Sequence, residues 1–154
     1  MFRVTRVAAI DCGTNSIRLL VADVAPDGSL TDLVRRMEVV RLGQGVDRTG
    51  ELAPEALART LEMTREYAAT IAELGAERVR FVATSATRDA RNRQEFVDGV
   101  REILGVEPEV VAGDEEAELS FAGATSVLGS AYDGPFVVVD LGGGSTEIVL
   151  GTTT

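Results

Sequence analysis

The stretch Asp140-Leu141-Gly142-Gly143-Gly144-Ser145-Thr146-Glu147 lies between two apolar runs of the sequence. Phe-Val-Val-Val at 136–139 precedes it and is typical of a strand that is buried on both faces. Ile-Val-Leu at 148–150 follows it directly. The pattern therefore predicts two strands joined by a glycine-rich turn, with a carboxylate at each end of the turn.

The residue types in this turn suit a bound phosphate. Glycines allow the backbone to approach an anion closely and to direct successive N–H groups at it. The hydroxyl groups of Ser145 and Thr146 add donors, and the two carboxylates are hard oxygen ligands of the kind that Mg²⁺ prefers. We therefore predict a phosphate-binding turn of Gly142, Gly143, Gly144, Ser145 and Thr146, with Asp140 and Glu147 as metal ligands.

A similar unit lies near the N-terminus, where the apolar run at 7–10 is followed by Asp11-Cys12-Gly13-Thr14-Asn15-Ser16 and a second apolar run. One interpretation is a plain β-turn, in which glycine, asparagine and serine are common residues. The other is a second phosphate-binding turn of Gly13, Thr14, Asn15 and Ser16, with Asp11 near a metal. The repetition of the strand–glycine–strand unit favours the second interpretation and is consistent with a duplicated two-domain design.

Composition excludes several kinds of site. The chain of 154 residues has no histidine, which removes a Ser-His-Asp triad and leaves acid–base chemistry to carboxylates. One cysteine, Cys12, excludes an internal disulfide, disfavours structural zinc and favours a cytoplasmic location. The net charge of −10 argues against binding to nucleic acid or to an anionic membrane, and no apolar run approaches the length of a membrane span.

Hydrophobic periodicity divides the chain into strands and helices. We expect strands at 4–10, 17–24, 30–42, 79–83 and 109–112, helices at 54–74, 92–104 and 113–128, and loops at 43–50 and 129–134. The expected inward residues are Leu57, Leu61, Ala68, Ile71 and Leu74 in the first helix, and Leu119, Phe121 or Ala122, and Val127 in the last. The order predicts an α/β domain with a mixed sheet, in which an N-terminal antiparallel meander of three strands is flanked by helices.

Two further segments carry candidate site residues. Thr-Ser-Ala-Thr-Arg at 84–88 follows a strand end, where ligands bind in open α/β sheets. Arg88 is its best candidate for a phosphate contact, whereas Asn92 is expected to cap the next helix. Arg18, in the second strand, faces either the ligand or solvent.

Gly-Asp-Glu-Glu-Ala-Glu at 113–118 opens a predicted helix with a cluster of acids. Acids in a first helical turn stabilise the helix dipole and need no other role. In a chain without histidine, however, a carboxylate must hold the attacking water of any phosphate hydrolysis, and this cluster is the best source of one.

These four segments, taken in order, resemble the exopolyphosphatase and guanosine pentaphosphate phosphohydrolase family, Ppx/GppA. The resemblance implies an actin-like, ribonuclease-H-like fold of two domains with the active site between them. It also implies Mg²⁺-assisted release of orthophosphate from inorganic polyphosphate or guanosine pentaphosphate, commonly by a homodimer. The family's catalytic glutamate falls on Glu116, with Glu115 as the alternative. Asp140 and Glu147 match its metal-associated acids, Arg88 matches a phosphate-contacting arginine, and the two turns match its phosphate-binding loops.

On this basis residues 1–130 are expected to form an N-terminal actin-like domain, and residues 131–154 the first hairpin of a second one that is otherwise absent. The hairpin would then pack on its own domain or pair with another molecule. A truncated chain lacks the complete cleft and could be inactive alone. The alternatives are an ATP-dependent sugar kinase or ATPase of the actin-like superfamily, and a non-catalytic nucleotide-binding fragment.

Overall fold

A computed structural model describes residues 4–128, 132 and 134–152. Its main sheet has five strands in the order β3-β2-β1-β4-β5. The first three are antiparallel, and β4 and β5 run parallel to β1. The strands are β1 Thr5–Cys12, β2 Ser16–Val24, β3 Leu30–Val39, β4 Arg78–Ala83 and β5 Glu109–Val110. The predicted mixed sheet with an N-terminal meander is confirmed.

Five helices are present in the described residues: α1 Val46–Thr49, α2 Pro54–Leu74, α3 Ser85–Asp89, α4 Arg93–Leu104 and α5 Gly113–Ser126. Helix α2 has the predicted bounds, because Pro54 fits a first turn and Gly75 adopts a left-handed conformation (φ 69°) that ends it. The short helices α1 and α3 were not predicted. Of the predicted loop at 129–134, residues 129–131 and 133 lie outside the described part of the chain. None of the described helices is long and apolar enough to cross a membrane.

The core lies between one face of the sheet and helices α2 and α4. Alternate residues of the central strands, including Ile10 and Ile17, are buried against Tyr67 and Phe96. Tyr67 is fully buried and donates a hydrogen bond to the carbonyl oxygen of Ile17 at 3.1 Å. The candidate site lies on the opposite face of the sheet.

The buried face of α2 differs from the predicted stripe. Ile71 is buried as expected, but Leu57, Leu61 and Leu74 are only partly buried. The fully buried positions include Thr60 and Thr64, whose hydroxyls donate to carbonyl oxygens one turn earlier at 2.8 and 2.9 Å. These threonines can be buried because their polar groups are satisfied within the helix.

Asn92 occupies the predicted N-cap position of α4, but its side chain makes no capping hydrogen bond. Instead its amide accepts a hydrogen bond from the backbone N–H of Leu52 at 2.8 Å and donates to the Leu52 carbonyl at 3.1 Å. The side chain thus holds the segment before α2, where both backbone groups of Leu52 would otherwise lack a partner.

The strands β6 Phe136–Leu141 and β7 Thr146–Gly151 form a separate antiparallel hairpin. One face packs on α5, and the other exposes Val137, Val139, Leu141, Ile148 and Leu150 by 53–78%. The predicted burial of 136–139 on both faces is therefore wrong, because a helix covers only one side of the hairpin. Two core positions predicted for the last helix are likewise exposed: Leu119 by 38%, and Val127, which lies just beyond α5, by 82%. Of the alternatives Phe121 and Ala122, Ala122 is exposed, whereas Phe121 is partly buried with its ring beside Gly151 of β7.

Candidate functional site

The two glycine-containing turns are closed by equivalent backbone hydrogen bonds. The N–H of Gly13 donates to the carbonyl oxygen of Ser16 at 2.9 Å, and the N–H of Gly142 donates to that of Ser145 at 2.9 Å. In each hairpin an aspartate lies in the strand before the turn. In the register of the paired strands, Asp11 lies opposite Arg18 and Asp140 lies opposite Glu147.

Both turns are therefore shorter than predicted. Asp11 and Cys12 belong to β1, and Asp140 and Leu141 belong to β6, because strand pairing continues past the apolar runs. The two aspartates are held by the strands and not by the turns.

The two turns are in contact with each other. A Cβ atom at Gly144 would lie 2.7 Å from Oγ1 of Thr14 and 2.9 Å from Oγ of Ser85, and one at Gly143 would overlap the amide of Asn15. The hydroxyl groups of Thr14 and Ser85 are themselves 2.9 Å apart and hydrogen-bonded. A side chain at either glycine would therefore force these groups or the second turn to shift.

The segment after β3 supports the first turn. The N–H groups of Val40 and Arg41 donate to the carbonyl oxygen of Asn15 at 3.0 and 2.8 Å, and that of Gly43 donates to Thr14 at 2.9 Å. This explains why β3 ends at Val39 and not at the predicted residue 42, since these N–H groups leave the sheet ladder. The backbone of the first turn is thus held by its own hydrogen bond and by three more from the segment after β3.

A cavity of about 260 Å³ lies between the turns. Seven of the nine predicted phosphate-binding residues line it, namely Gly13, Thr14, Asn15, Ser16, Gly142, Gly143 and Ser145. Gly144 instead packs on Thr14 and Ser85, and Thr146 begins β7 with its side chain exposed. A larger cavity of about 620 Å³ lies over the open face of the sheet and shares lining residues with the first, among them Arg18. Arg18 thus faces the site.

Glu116 lies on the cavity wall, one turn into α5, with its side chain 16% exposed. It accepts a hydrogen bond from Nη1 of Arg88 at 3.2 Å. Burial raises the pKa of Glu116, as does the charge of Glu147, whereas Arg88 and the hydroxyl of Thr84 lower it; the net direction is upward. A carboxylate with a raised pKa beside a polar cavity is suited to general base catalysis.

The alternative acid, Glu115, is exposed and lies 3.5 Å from Nη2 of Arg80. It does not line either cavity. Arg88 is not on the wall of either cavity, since its guanidinium also donates to the carbonyl oxygen of Val111 at 2.8 Å. The geometry thus brings Glu116 to the site and places Arg88 as its partner.

Two of the three predicted metal ligands, Asp11 and Asp140, line the cavity together. Burial raises the pKa of Asp11, Arg18 at 3.4 Å lowers it, and the charge of Asp140 raises it; the net direction is upward. Among the described residues no three acidic or cysteine side chains are grouped to enclose a metal ion. Mg²⁺, however, usually retains waters and takes only one or two carboxylates beside phosphate oxygens. The pair fits that cation, and its like charges would be stabilised by it.

One residue of the site was missed by sequence reasoning. Ser120 of α5 donates a hydrogen bond from Oγ to Oδ2 of Asp140 at 2.7 Å. The available signal was its position one helical turn after Glu116, which puts both residues on one face of the helix.

Comparison with known proteins identifies the family to which the chain belongs. A statistical model of the Ppx/GppA phosphatase family matches residues 20–154. The chain is 59% identical to "Exopolyphosphatase 2" of Mycobacterium tuberculosis, over 96% of this chain and 48% of the relative. The chain therefore spans about half the length of that relative.

Solved structures that resemble the chain belong to the same family. A crystal structure of an exopolyphosphatase-like protein superposes with a TM-score of 0.91 at 56% identity, over 96% of this chain and 45% of that one. The Aquifex aeolicus member of the Ppx/GppA family superposes with a TM-score of 0.82 at 36% identity, over 97% and 48%. These matches confirm the predicted actin-like fold and the predicted resemblance. The chain belongs to the Ppx/GppA phosphatase family.

Proposed function

We propose that this chain contributes the hydrolytic half-site of an exopolyphosphatase, which releases orthophosphate from the end of inorganic polyphosphate. One observation carries the proposal: Glu116, with a raised pKa, faces a polar cavity formed by two turns that contain the same backbone hydrogen bond. The name of the mycobacterial relative supports polyphosphate as the substrate.

In this proposal the terminal phosphate lies between the two turns. Backbone N–H groups and the side chains of Thr14, Asn15 and Ser145 donate hydrogen bonds to its oxygens. Arg18 contributes the positive charge that lines the cavity. Binding the phosphate on both sides fixes its orientation for in-line attack by water.

Glu116 accepts the proton of the attacking water. Arg88 and Thr84 hold its carboxylate, so that the second oxygen can face the water. The base is stronger than an ordinary glutamate because its pKa is raised.

Asp11 and Asp140 would hold Mg²⁺. When bound, the cation would neutralise charge on the phosphate oxygens. The dependence on Mg²⁺, guanosine pentaphosphate as a second substrate, a homodimeric assembly and a cytoplasmic location belong to this proposal as expectations from the family resemblance.

Replacement of Glu116 tests the proposal. We expect Glu116→Gln to reduce Mg²⁺-dependent phosphate release from polyphosphate by about 10²–10⁴-fold, as for loss of a general base. Glu115→Gln, which removes the neighbouring exposed carboxylate, is the matched control and should retain the rate. Both variants are assayed in this chain and in any longer natural polypeptide that contains it. Unimpaired release by a folded Glu116→Gln variant would exclude Glu116 as the base.

A further inference from the structure

We propose that Ser120 is a positioning residue, whose hydroxyl holds the Asp140 carboxylate in the orientation that binds the divalent cation. The inference rests on the proposed function, since it assigns a role in the same cation site. Ser120 itself touches neither the phosphate nor the cation.

The contact is short and charge-assisted. The distance of 2.7 Å from Oγ of Ser120 to Oδ2 of Asp140 is at the short end for a hydroxyl and a carboxylate. Both residues are half-buried, and both line the larger cavity together with Glu116. A hydroxyl that occupies Oδ2 leaves Oδ1 of Asp140 for a cation.

Asp140 needs such a partner because its neighbours are negative. It lies directly opposite Glu147 in the hairpin, and like charges at paired positions destabilise a sheet. It also lies close enough to Asp11 for the two charges to interact. Without a donor, the carboxylate of Asp140 would be free to rotate away from both acids and toward solvent.

The equivalent aspartate of the first hairpin is held differently. Asp11 lies opposite Arg18, a cation, at 3.4 Å. Asp140 instead receives a neutral hydroxyl, which orients the carboxylate without cancelling its charge. The partner of Asp140 therefore brings no positive charge that would compete with a divalent cation.

Helix α5 links this function to the catalytic base. Glu116 and Ser120 are one turn apart on the same helix, and the hairpin packs on that helix. A single rigid element thus sets the position of the base and, through Ser120, of the cation-binding carboxylate. This is the kind of support that orients metal ligands in other proteins, where its loss typically weakens metal affinity by about 10–100-fold.

The test measures Mn²⁺ binding to the chain by electron paramagnetic resonance, with Mg²⁺ as competitor. We expect Ser120→Ala to weaken Mn²⁺ binding about 10-fold, and Ser120→Thr, which retains the hydroxyl, to restore most of the affinity. Ser126→Ala is the matched control, because Ser126 lies on the same helix but donates only to the carbonyl oxygen of Gly123 at 2.8 Å. Circular dichroism reports whether each variant is folded.

A double-mutant cycle with Asp140→Asn separates positioning from general packing. If Ser120 acts through Asp140, Ser120→Ala should have little further effect on Mn²⁺ affinity in the Asp140→Asn background. In the active protein, Ser120→Ala should raise the Mg²⁺ concentration for half-maximal activity more than it lowers kcat.

The outcomes distinguish the two proposals. Equal Mn²⁺ affinity of wild type and Ser120→Ala, with Asp140→Asn impaired, would overturn the role of Ser120 and leave the cation site intact. Additive losses in the double variant would also overturn it. Equal affinity of wild type and Asp140→Asn would remove the proposed cation site and this inference together.

Discussion

Glu116 is held between one positive and one negative neighbour. Burial raises its pKa, Arg88 and Thr84 lower it, and Glu147 raises it. Because the net shift is upward, the carboxylate loses its proton at a higher pH than an ordinary glutamate. The acid limb of the rate–pH profile is therefore expected above the usual pKa of glutamate, and activity is lost as the pH falls through it.

Substitution of either neighbour should move this pKa in a known direction. Arg88→Gln removes a hydrogen bond and a positive charge, so we expect a further rise in the pKa of Glu116; Glu147→Gln should lower it. The carboxyl ¹³C shift of Glu116, followed by NMR as a function of pH, measures both. Arg91→Gln is the control, since Arg91 is exposed and bonds to Thr49 and Glu51. A lower pKa in Arg88→Gln would contradict the assignment of the pair.

Individual residues of the site were predictable to different degrees. The acids and glycines were predictable because residue type and immediate sequence neighbours are enough to indicate their chemistry. Ser120 was missed because a serine in a helix has many ordinary roles, and its partner Asp140 lies in a separate hairpin. Tyr67 carried no signal either, since its hydrogen bond to Ile17 joins helix and sheet across a long stretch of sequence.

At the scale of elements, the contact between the two turns depends on the absence of a side chain at Gly144. A Cβ there would lie within 3 Å of two hydroxyl oxygens, those of Thr14 and Ser85. We expect Gly144→Ala to destabilise the chain by about 1–3 kcal/mol, the usual cost of overpacking, and to weaken orthophosphate binding. Urea unfolding and ³¹P NMR titration measure the two effects.

The control for this change is Gly123→Ala in α5. Gly123 is exposed, and a Cβ there meets no atom within 4 Å. Alanine in a helix interior should therefore stabilise the chain, by about 0.5–1 kcal/mol. Equal free energies of unfolding for Gly144→Ala and wild type would show that the turns do not need the close approach.

Elements themselves were well predicted where local signals agree. Helix α2 has a proline in its first turn, a glycine after its last residue and apolar residues at helical spacing, and its predicted bounds are confirmed. Burial was predicted less well, because it depends on which element covers which face. The apolar run at 136–139 has the composition of a doubly covered strand, yet only α5 covers it here. Thr60 and Thr64 show the reverse case, polar residues that are buried once their hydroxyls are satisfied.

At the scale of the whole molecule, charge opposes the binding of a polyanion. The net charge is −10, and many arginines are already paired, as Arg6 is with Asp23 and Arg80 with Glu109. Around the site, two arginines, Arg18 and Arg88, are outnumbered by four carboxylates, those of Asp11, Glu116, Asp140 and Glu147. Arg88 and Glu147 line neither cavity themselves.

Polyphosphate binding should therefore strengthen as salt is added in the absence of divalent cations. Screening shortens the range of the repulsion from about 30 Å at 0.01 M to about 8 Å at 0.15 M ionic strength. Calorimetric titration with polyphosphate in a chelating buffer measures this trend, and addition of Mg²⁺ should increase the affinity further. Binding that weakens with salt would instead show that the arginines dominate the interaction.

The two hairpins are closed by equivalent backbone hydrogen bonds but differ in the charge of the residue opposite the aspartate. Asp11 faces Arg18 in the first hairpin, whereas Asp140 faces Glu147 in the second. The electric field across the cavity therefore has a direction, from the first hairpin toward the second. An anion placed between them is expected to turn its most negative oxygens toward the first hairpin, and a cation to settle beside the second. The two similar hairpins thus form a polarised site, in which the two halves are not interchangeable.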